Sequence, residues 1–303
     1  MIDAELLQTG CRPEYARKGG RRVCWPLACA VTPSPVAMPR VRLVCFDFDE
    51  TLCLTSEHDV AGYRAAAEAL RQHAPTCDAA AAVGAYKEAL RRAPWDPQGN
   101  IDVYTWRAMH WAAALRAQPG ARPGAQDGAC TAAGDWADGV ARVVQGALDA
   151  ARLESIRLID GVKELCDALR AEGRAVALIT NGDSTVQRDK LRAAGVEAAV
   201  PAAMTLVGGE QPQQKPAASI FQAALALAEG VKPAEAIHVG DSLTTDMAGA
   251  RNAGLLAAVY VNPDGDGECG PEDRARYDAC VRSVLELPEV IRTIEASAEE
   301  PAA

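Results

Sequence analysis

The residues best equipped for chemistry fall in four clusters. The first is Asp47-Phe48-Asp49-Glu50-Thr51, in which two carboxylates one residue apart are followed by a hydroxyl. Thr180-Asn181-Gly182 adds a second hydroxyl and an amide, Lys215 an ammonium, and Gly240-Asp241 with Asp246 two more carboxylates. Carboxylates brought together repel, so a bound cation is the natural way to hold them, and an all-oxygen ligand set that also meets phosphate favours magnesium. In that setting one carboxylate can attack phosphorus while the metal offsets the repulsion between the two anions. A second carboxylate two residues later can protonate the leaving oxygen and then deprotonate the water that breaks the acyl phosphate. Hydroxyls, backbone amides and a lysine around the transferred group supply the positive field that phosphoryl transfer needs.

These clusters cooperate only if folding brings them to one place. Val41–Phe46 is a short apolar run that breaks abruptly into acids, as a buried parallel strand does. Further on, the spacing predicts strands at Ala175–Thr180, Ala203–Val207, Ala236–Val239 and Leu255–Val261. Helices are predicted between and around them, at 162–171, 184–194, 216–228 and about 245–252. Such alternation argues for an α/β fold, a doubly wound (Rossmann-like) parallel sheet covered by helices. Between Glu57 and Ser155 the texture is helical throughout, with helices predicted at Ala61–His73, Asp78–Arg92, Tyr104–Arg116 and Trp136–Arg152. A Pro- and Gly-rich loop at 118–124 separates the third from the fourth. The expected organisation is a catalytic core of residues 39–56 and 155–295 with an inserted all-helical cap at 57–154. Residues 1–38 are expected to be a disordered or misassigned extension, and 296–303 a disordered tail. Ligands of open parallel sheets bind beyond the carboxyl ends of the strands, which is where the clusters fall.

Four such clusters in this order resemble the haloacid dehalogenase superfamily over Val41 to about Thr293. Asp47-x-Asp49-x-Thr51 matches the first motif of that superfamily, Thr180 the second, Lys215 the third and Gly240-Asp241 with Asp246 the fourth. The resemblance implies Asp47 as nucleophile, Asp49 as acid and base, and Thr180 and Lys215 as catalytic partners. Phe48, Thr51, Asn181 and Gly182 would surround the phosphate, with Asp246 in support. It also implies magnesium held by Asp47, Asp241 and the main-chain carbonyl of Asp49. Thr180–Asp183, Val207–Gln211, Lys215–Phe221, Gly240–Asp246 and Val281–Pro288 are further similar to the N-acylneuraminate-9-phosphatase family, as is Arg107-x-x-His110-Trp111 in the helical insertion. That narrower resemblance implies a sugar-acid phosphate as substrate, with Arg107 and His110 in contact with it. Glu50 departs from the pattern, standing where Asn, Asp or Gly is more frequent. Other readings on the same scaffold are a phosphatase for a pyrimidine nucleoside monophosphate, phosphoglycolate or another sugar phosphate, a dehalogenase, and a catalytically silent binding protein.

The bulk properties agree with a small-molecule enzyme. The chain has 303 residues, of which 49% are apolar, and a formal net charge of −10, a soluble composition with ample core material. Its acidity disfavours a nucleic-acid partner, and no apolar run is long enough to cross a bilayer. The ten cysteines are scattered without metal or redox spacing, as in free thiols of a reducing, cytoplasmic compartment. Cys53 reads as a packing residue; the alternative is an oxidisable thiol near the site. Acids at Asp3, Glu5 and Glu14 and the break at Pro26 speak against an organellar leader in residues 1–38.

Overall fold

Leu43–Phe46 carries no charge and is buried at all four positions, which requires a strand covered on both faces. This strand, β1, is the centre of a six-stranded parallel sheet. The others are β2 (Ala175–Thr180), β3 (Thr205–Val207), β4 (Ala236–Gly240), β5 (Ala257–Val261) and β6 (Ala279–Val281). Their order is β3-β2-β1-β4-β5-β6. The chain therefore runs outward from β1 in one direction through β2 and β3, then returns and runs outward in the other. The reversal leaves a crevice beyond the carboxyl ends of β1 and its neighbours. The computed structural model describes residues 15–18, 21–24, 41–92, 101–118 and 133–297. Tyr15–Lys18 and Arg21–Cys24 pair as antiparallel strands in a separate unit, Met1–Met38; the rest of the expected extension, the cap loop after Gln118 and the tail beyond residue 297 lie outside the described residues.

Period-two alternation divides the side chains of the sheet between two apolar layers. Val44 and Phe46 join the layer under helices α5 (Val162–Ala171) and α10 (Leu287–Ala296). Leu43 and Cys45 join the opposite layer, under α7 (Ala218–Leu227) and α8 (Ala248–Asn252). Among the described residues, four helices fill the insertion between β1 and β2: α1 (Thr55–His73), α2 (Ala79–Arg92), α3 (Val103–Arg116) and α4 (Ala133–Ser155). They bury an apolar cluster of their own, including Leu70, Trp111, Leu115 and Leu148. At its centre Tyr86 and Trp111 stack with ring centroids 4.0 Å apart. Both donate to Gln145 Oε1, at 2.9 and 3.0 Å, so each aromatic buries its polar atom satisfied. Tyr104 Oη ties this block to the core by donating to Asp189 on α6 (Ser184–Ala193) at 2.9 Å.

The parallel sheet and the helical insertion match expectation. The differences are local. β6, the short α9 (Pro271–Arg274) and α10 form where the sequence reading places no regular element: β6 and α9 are only three and four residues long, while α10 has an apolar face at Leu287, Val290, Ile291 and Ile294 that the reading passes over. The helix expected from Pro216 begins at Ala218. The one expected near Thr245 opens as a wide π-type turn, Leu243–Met247, before α8. Among the described residues no helix is long and apolar enough to cross a membrane.

Gly249 of α8 packs so closely that a Cβ there would lie 2.4 Å from Phe221 Cε2. Gly249→Ala is therefore expected to lower unfolding free energy by about 1–3 kcal/mol through overpacking, measured by urea denaturation; an unchanged midpoint would mean that Phe221 yields freely.

Candidate active site

Asp47 directly follows β1, and its backbone N–H donates to Val239 O at 2.9 Å, locking it beside β4. The chain then turns sharply, with the N–H groups of Leu52 and Cys53 both donating to Phe48 O. Glu50 sits in this turn at φ 56°, a left-handed conformation unfavourable to residues with a side chain. Its carboxylate explains why a glutamate is accommodated. It accepts from Ser56 N (2.6 Å), Ser56 Oγ (2.9 Å) and Thr55 Oγ1 (2.8 Å), satisfying donors at the start of α1 where negative charge also favours the helix dipole. The departure from the family pattern thus has a local function in the fold.

The strand ends bring the other clusters to Asp47. Lys215 Nζ donates to Asp47 Oδ1 at 2.6 Å and to Asp246 Oδ1 at 2.7 Å, and all three residues are buried. Asp246 also accepts from Ser242 N (3.1 Å), and its Oδ1 lies 2.8 Å from His238 Nε2. Asp246 reaches this position because Gly240 leaves room; a Cβ on Gly240 would fall 2.4 Å from Asp246 Cγ. The backbone of Lys215 is gripped in turn by the side chain of Asn181, which accepts from Lys215 N (2.9 Å) and donates to Lys215 O (2.8 Å). Thr51 Oγ1 and Thr180 Oγ1 are buried without any hydrogen-bond partner, a state that native proteins rarely leave uncompensated.

Carboxylate oxygens of Asp47, Asp241 and Asp246 lie within 4.8 Å of one another. Three carboxylates against the one ammonium of Lys215 leave two negative charges in excess. Burial places most of that strain on Asp47 and Asp241. Burial pushes Asp47 well above the usual carboxylate range, against the pull of Lys215. Burial, with repulsion from Asp246, raises Asp241 to about 6. Asp246 is shifted the other way, since Lys215 and His238 outweigh its burial. Asp241 forms no ion pair with a cation among the described residues. An all-oxygen donor set in which three carboxylates face one ammonium fits a hard divalent cation, and Asp246, whose oxygens are already engaged, is the least available of the three.

Asp49 is held differently. Lys190 Nζ donates to its Oδ1, and Gln187 Nε2 to its Oδ2 at 2.9 Å. Burial alone would raise the Asp49 carboxyl, but the Lys190 ammonium and the two hydrogen bonds hold it below its ordinary value. Lys190 and Gln187 come from α6, just past Asn181-Gly182. Sequence reasoning missed both; their i, i+3 spacing on a helix leaving a motif was visible, but their burial was not.

Other expected site residues are placed less directly. The Phe48 side chain is fully buried in the core, so only its backbone can face a ligand. Gly182 N–H is taken by Gln214 Oε1 at 2.9 Å. Arg107 lines a cleft of about 390 Å³ between the helical block and the core, together with Arg152, Trp106, Gly182, Gln187 and Lys190. Its nearest acid is Asp149 at 3.8 Å, and its Nε is buried without a partner. The ring of His110 packs edge-on against Trp106, a lining residue of this cleft, with centroids 4.4 Å apart, and its Nε2 is buried without a partner. Cys53 is buried and its thiol is pushed up to about 12 by burial, which leaves it as a packing residue rather than an oxidisable one.

A parallel α/β sheet thus gathers at its switch point three clustered carboxylates and a buried lysine, with two buried hydroxyls on neighbouring segments that have no partner. The chain belongs to the haloacid dehalogenase-like hydrolases, whose family model matches residues 41–254. It is 40% identical over 144 residues to N-acylneuraminate-9-phosphatase of Mus musculus, a match that covers 48% of this chain and 56% of the mouse protein. It is 29% identical over 253 residues to ribulose-1,5-bisphosphate 5-phosphatase of Halopiger xanaduensis, covering 82% and 98%. The crystal structure of 2-haloacid dehalogenase from Pseudomonas syringae superposes with a TM-score of 0.58 at 25% identity, covering 84% of this chain and 99% of that one.

The raised folded-state pKa of Asp241 has a thermodynamic consequence. For a group whose folded pKa lies above its unfolded value, the protonated folded form is favoured, so stability is full below the ordinary value of 3.8 and is lost as pH rises through about 6. Asp241→Asn is therefore expected to raise the melting temperature of metal-free protein at pH 7.5 and to give no gain near pH 4; equal shifts at both pH values would contradict the assignment.

Proposed function

We propose that the protein is a magnesium-dependent phosphatase that hydrolyses a small phosphomonoester through an aspartyl phosphate on Asp47. The observation that carries this reading is the unequal treatment of the first two carboxylates. Asp47 shares a buried lysine at the switch point, whereas Asp49 is turned onto α6, and paired carboxylates held in different environments are the usual basis for divided roles. Asp47 attacks phosphorus and the ester oxygen departs, taking a proton from Asp49. Water then attacks phosphorus, giving its proton to Asp49 and releasing phosphate and the free Asp47 carboxylate. Magnesium, held by Asp47, Asp241 and the main-chain carbonyl of Asp49, would supply the positive charge that lets the Asp47 anion approach a phosphate dianion.

The free-state ionisation runs opposite to the first step, since Asp47 is pushed toward its neutral form and Asp49 toward its charged one. Both are corrected by the ligands. A cation beside Asp47 favours its carboxylate, and an incoming phosphate dianion beside Asp49 favours its acid form. Thr51 and Thr180 present hydroxyls to the transferred group, Lys215 neutralises charge on it, and Asn181 holds Lys215 in place. Against a dehalogenase stands Asp49 itself: halide departs without a proton, whereas a sugar oxygen requires one. The free thiols at Cys45, Cys53 and Cys166 suit a cytoplasmic site of action.

We assign the substrate to phosphomonoesters with a second anionic group, first among them N-acylneuraminate 9-phosphate. The cleft offers Arg107, whose guanidinium has donors to spare, and Arg107 suits a carboxylate because its fork makes two parallel hydrogen bonds. Asp102 supports this placement by accepting from Tyr104 N and Thr105 N at 3.1 and 2.9 Å, which fixes the start of α3. The test is phosphate release in magnesium from N-acetylneuraminate 9-phosphate, ribulose 1,5-bisphosphate and a neutral hexose 6-phosphate. The wild type is expected to favour the sugar acid. Arg107→Ala should lower kcat/KM for it by about ten- to a hundredfold more than for the hexose phosphate. Equal losses would make Arg107 structural, and outright preference for the bisphosphate would move the assignment to a second phosphate group.

A further inference from the structure

Burying an ammonium is costly unless its partners compensate it fully, yet Lys190 is only 4% exposed. Its partner is Asp49 Oδ1, and Gln187, one turn earlier on α6 and 5% exposed, occupies Oδ2. Neither residue belongs to the four clusters that identify the family. Gln187 Nε2 donates at once to Asp49 and to the backbone carbonyl of Asn181. Because both partners are acceptors, the amide can be oriented only one way. Its oxygen is left buried with no partner in a residue that lines the cleft.

The contacts form a continuous chain. Asp49 is tied through Gln187 to Asn181, and Asn181 grips the backbone of Lys215, whose ammonium holds Asp47. The nucleophile and the second carboxylate are thereby fixed relative to each other through α6, in addition to their two-residue separation in a strained turn. A carboxylate on a single rotatable side chain would otherwise sweep a range of positions, and proton transfer needs hydrogen-bond distance to the leaving oxygen.

We propose that Lys190 and Gln187 are positioning residues for Asp49, holding both of its oxygens so that it is aimed at the leaving group for proton transfer. This rests on the phosphatase reading given above. A purely structural pair would serve the same contacts by pinning α6 to the strand end, and the two roles differ in which chemical step they affect. Loss of aim at Asp49 impairs steps that move a proton and spares one that does not.

The experiment compares wild type with Lys190→Met, Lys190→Arg and Gln187→Leu in magnesium, using p-nitrophenyl phosphate and N-acetylneuraminate 9-phosphate. p-Nitrophenolate leaves without a proton, whereas the alkoxide of the sugar needs one. Rapid mixing reads acyl-phosphate formation and breakdown separately. In Lys190→Met and Gln187→Leu, formation from the sugar phosphate is expected to slow by about tenfold or more relative to formation from p-nitrophenyl phosphate. Breakdown, which needs the base, should slow for both, so acyl phosphate accumulates. Lys190→Arg should recover part of the loss. Equal slowing of formation from both substrates without accumulation, or no change, would overturn the proposal. Gln187→Leu retains the ion pair, so it decides the matter even if Lys190→Met does not fold. A wild type that forms no acyl phosphate from either substrate would overturn the phosphatase reading itself, and this inference with it.

Discussion

One buried ammonium organises the site. Lys215 stands between Asp47 and Asp246 with contacts of 2.6 and 2.7 Å, and the surrounding structure maintains that arrangement. Asn181 holds its backbone at both N–H and C=O. His238, fully buried in β4, supports Asp246 from behind, and burial keeps its imidazole inclined to the neutral form. Gly240 is without a side chain where one would displace Asp246. A buried triad of two acids and one base is not a source of stability, because desolvation opposes its internal attraction. Its consequence is electrostatic: Lys215 and His238 together favour the charged form of Asp246, burial leaves Asp47 strained toward protonation, and Asp241 nearby forms no ion pair among the described residues. The excess of carboxylates at the switch point is what a divalent cation would offset, leaving Lys215 and the surrounding donors to meet the charge of a phosphate.

Around this centre, reaction and recognition are divided between layers. Asp47 and Asp241 directly follow β1 and β4, and Lys215 and Asp246 lie on the connections beyond β3 and β4 of the parallel sheet. The arginines that line the cleft, Arg107 and Arg152, lie on α3 and α4 of the helical block, which buries its own apolar cluster and reaches the core through Tyr104 and Asp189. Such separation lets specificity change without disturbing the chemistry. It also explains how proteins as different in their named activities as a sugar-acid phosphatase and a haloacid dehalogenase share this scaffold.

Much of the core was legible in the sequence because its signals are local. Runs such as Leu43–Phe46 and Ala175–Thr180 are uniformly apolar and end in polar residues, which marks both the strand and its carboxyl end. The helical block was legible from period alone. Some features escaped for different reasons. β6 is three residues long and only partly buried, too short to mark itself, whereas α10 carries Leu287, Val290, Ile291 and Ile294 at helical spacing and was legible though not read. Lys190 and Gln187 look like ordinary helix-surface residues, and only the fold shows that α6 turns them onto Asp49. His110 stands on the same helix as Arg107, and its packing against Trp106 is likewise visible only in the fold. Glu50 looked like a departure from pattern, and its reason lies in donors of α1 five and six residues away.

The central claim is that phosphate passes through Asp47, and it is tested most directly by trapping. Wild-type protein mixed with magnesium and N-acetylneuraminate 9-phosphate, quenched in acid within one turnover and digested, is read by mass spectrometry. A phosphoryl group is expected on the peptide containing Asp47, labile to hydroxylamine and lost in Asp47→Asn. Phosphate release with no acyl phosphate at any quench time, or a phosphoryl group that persists in Asp47→Asn, would contradict it.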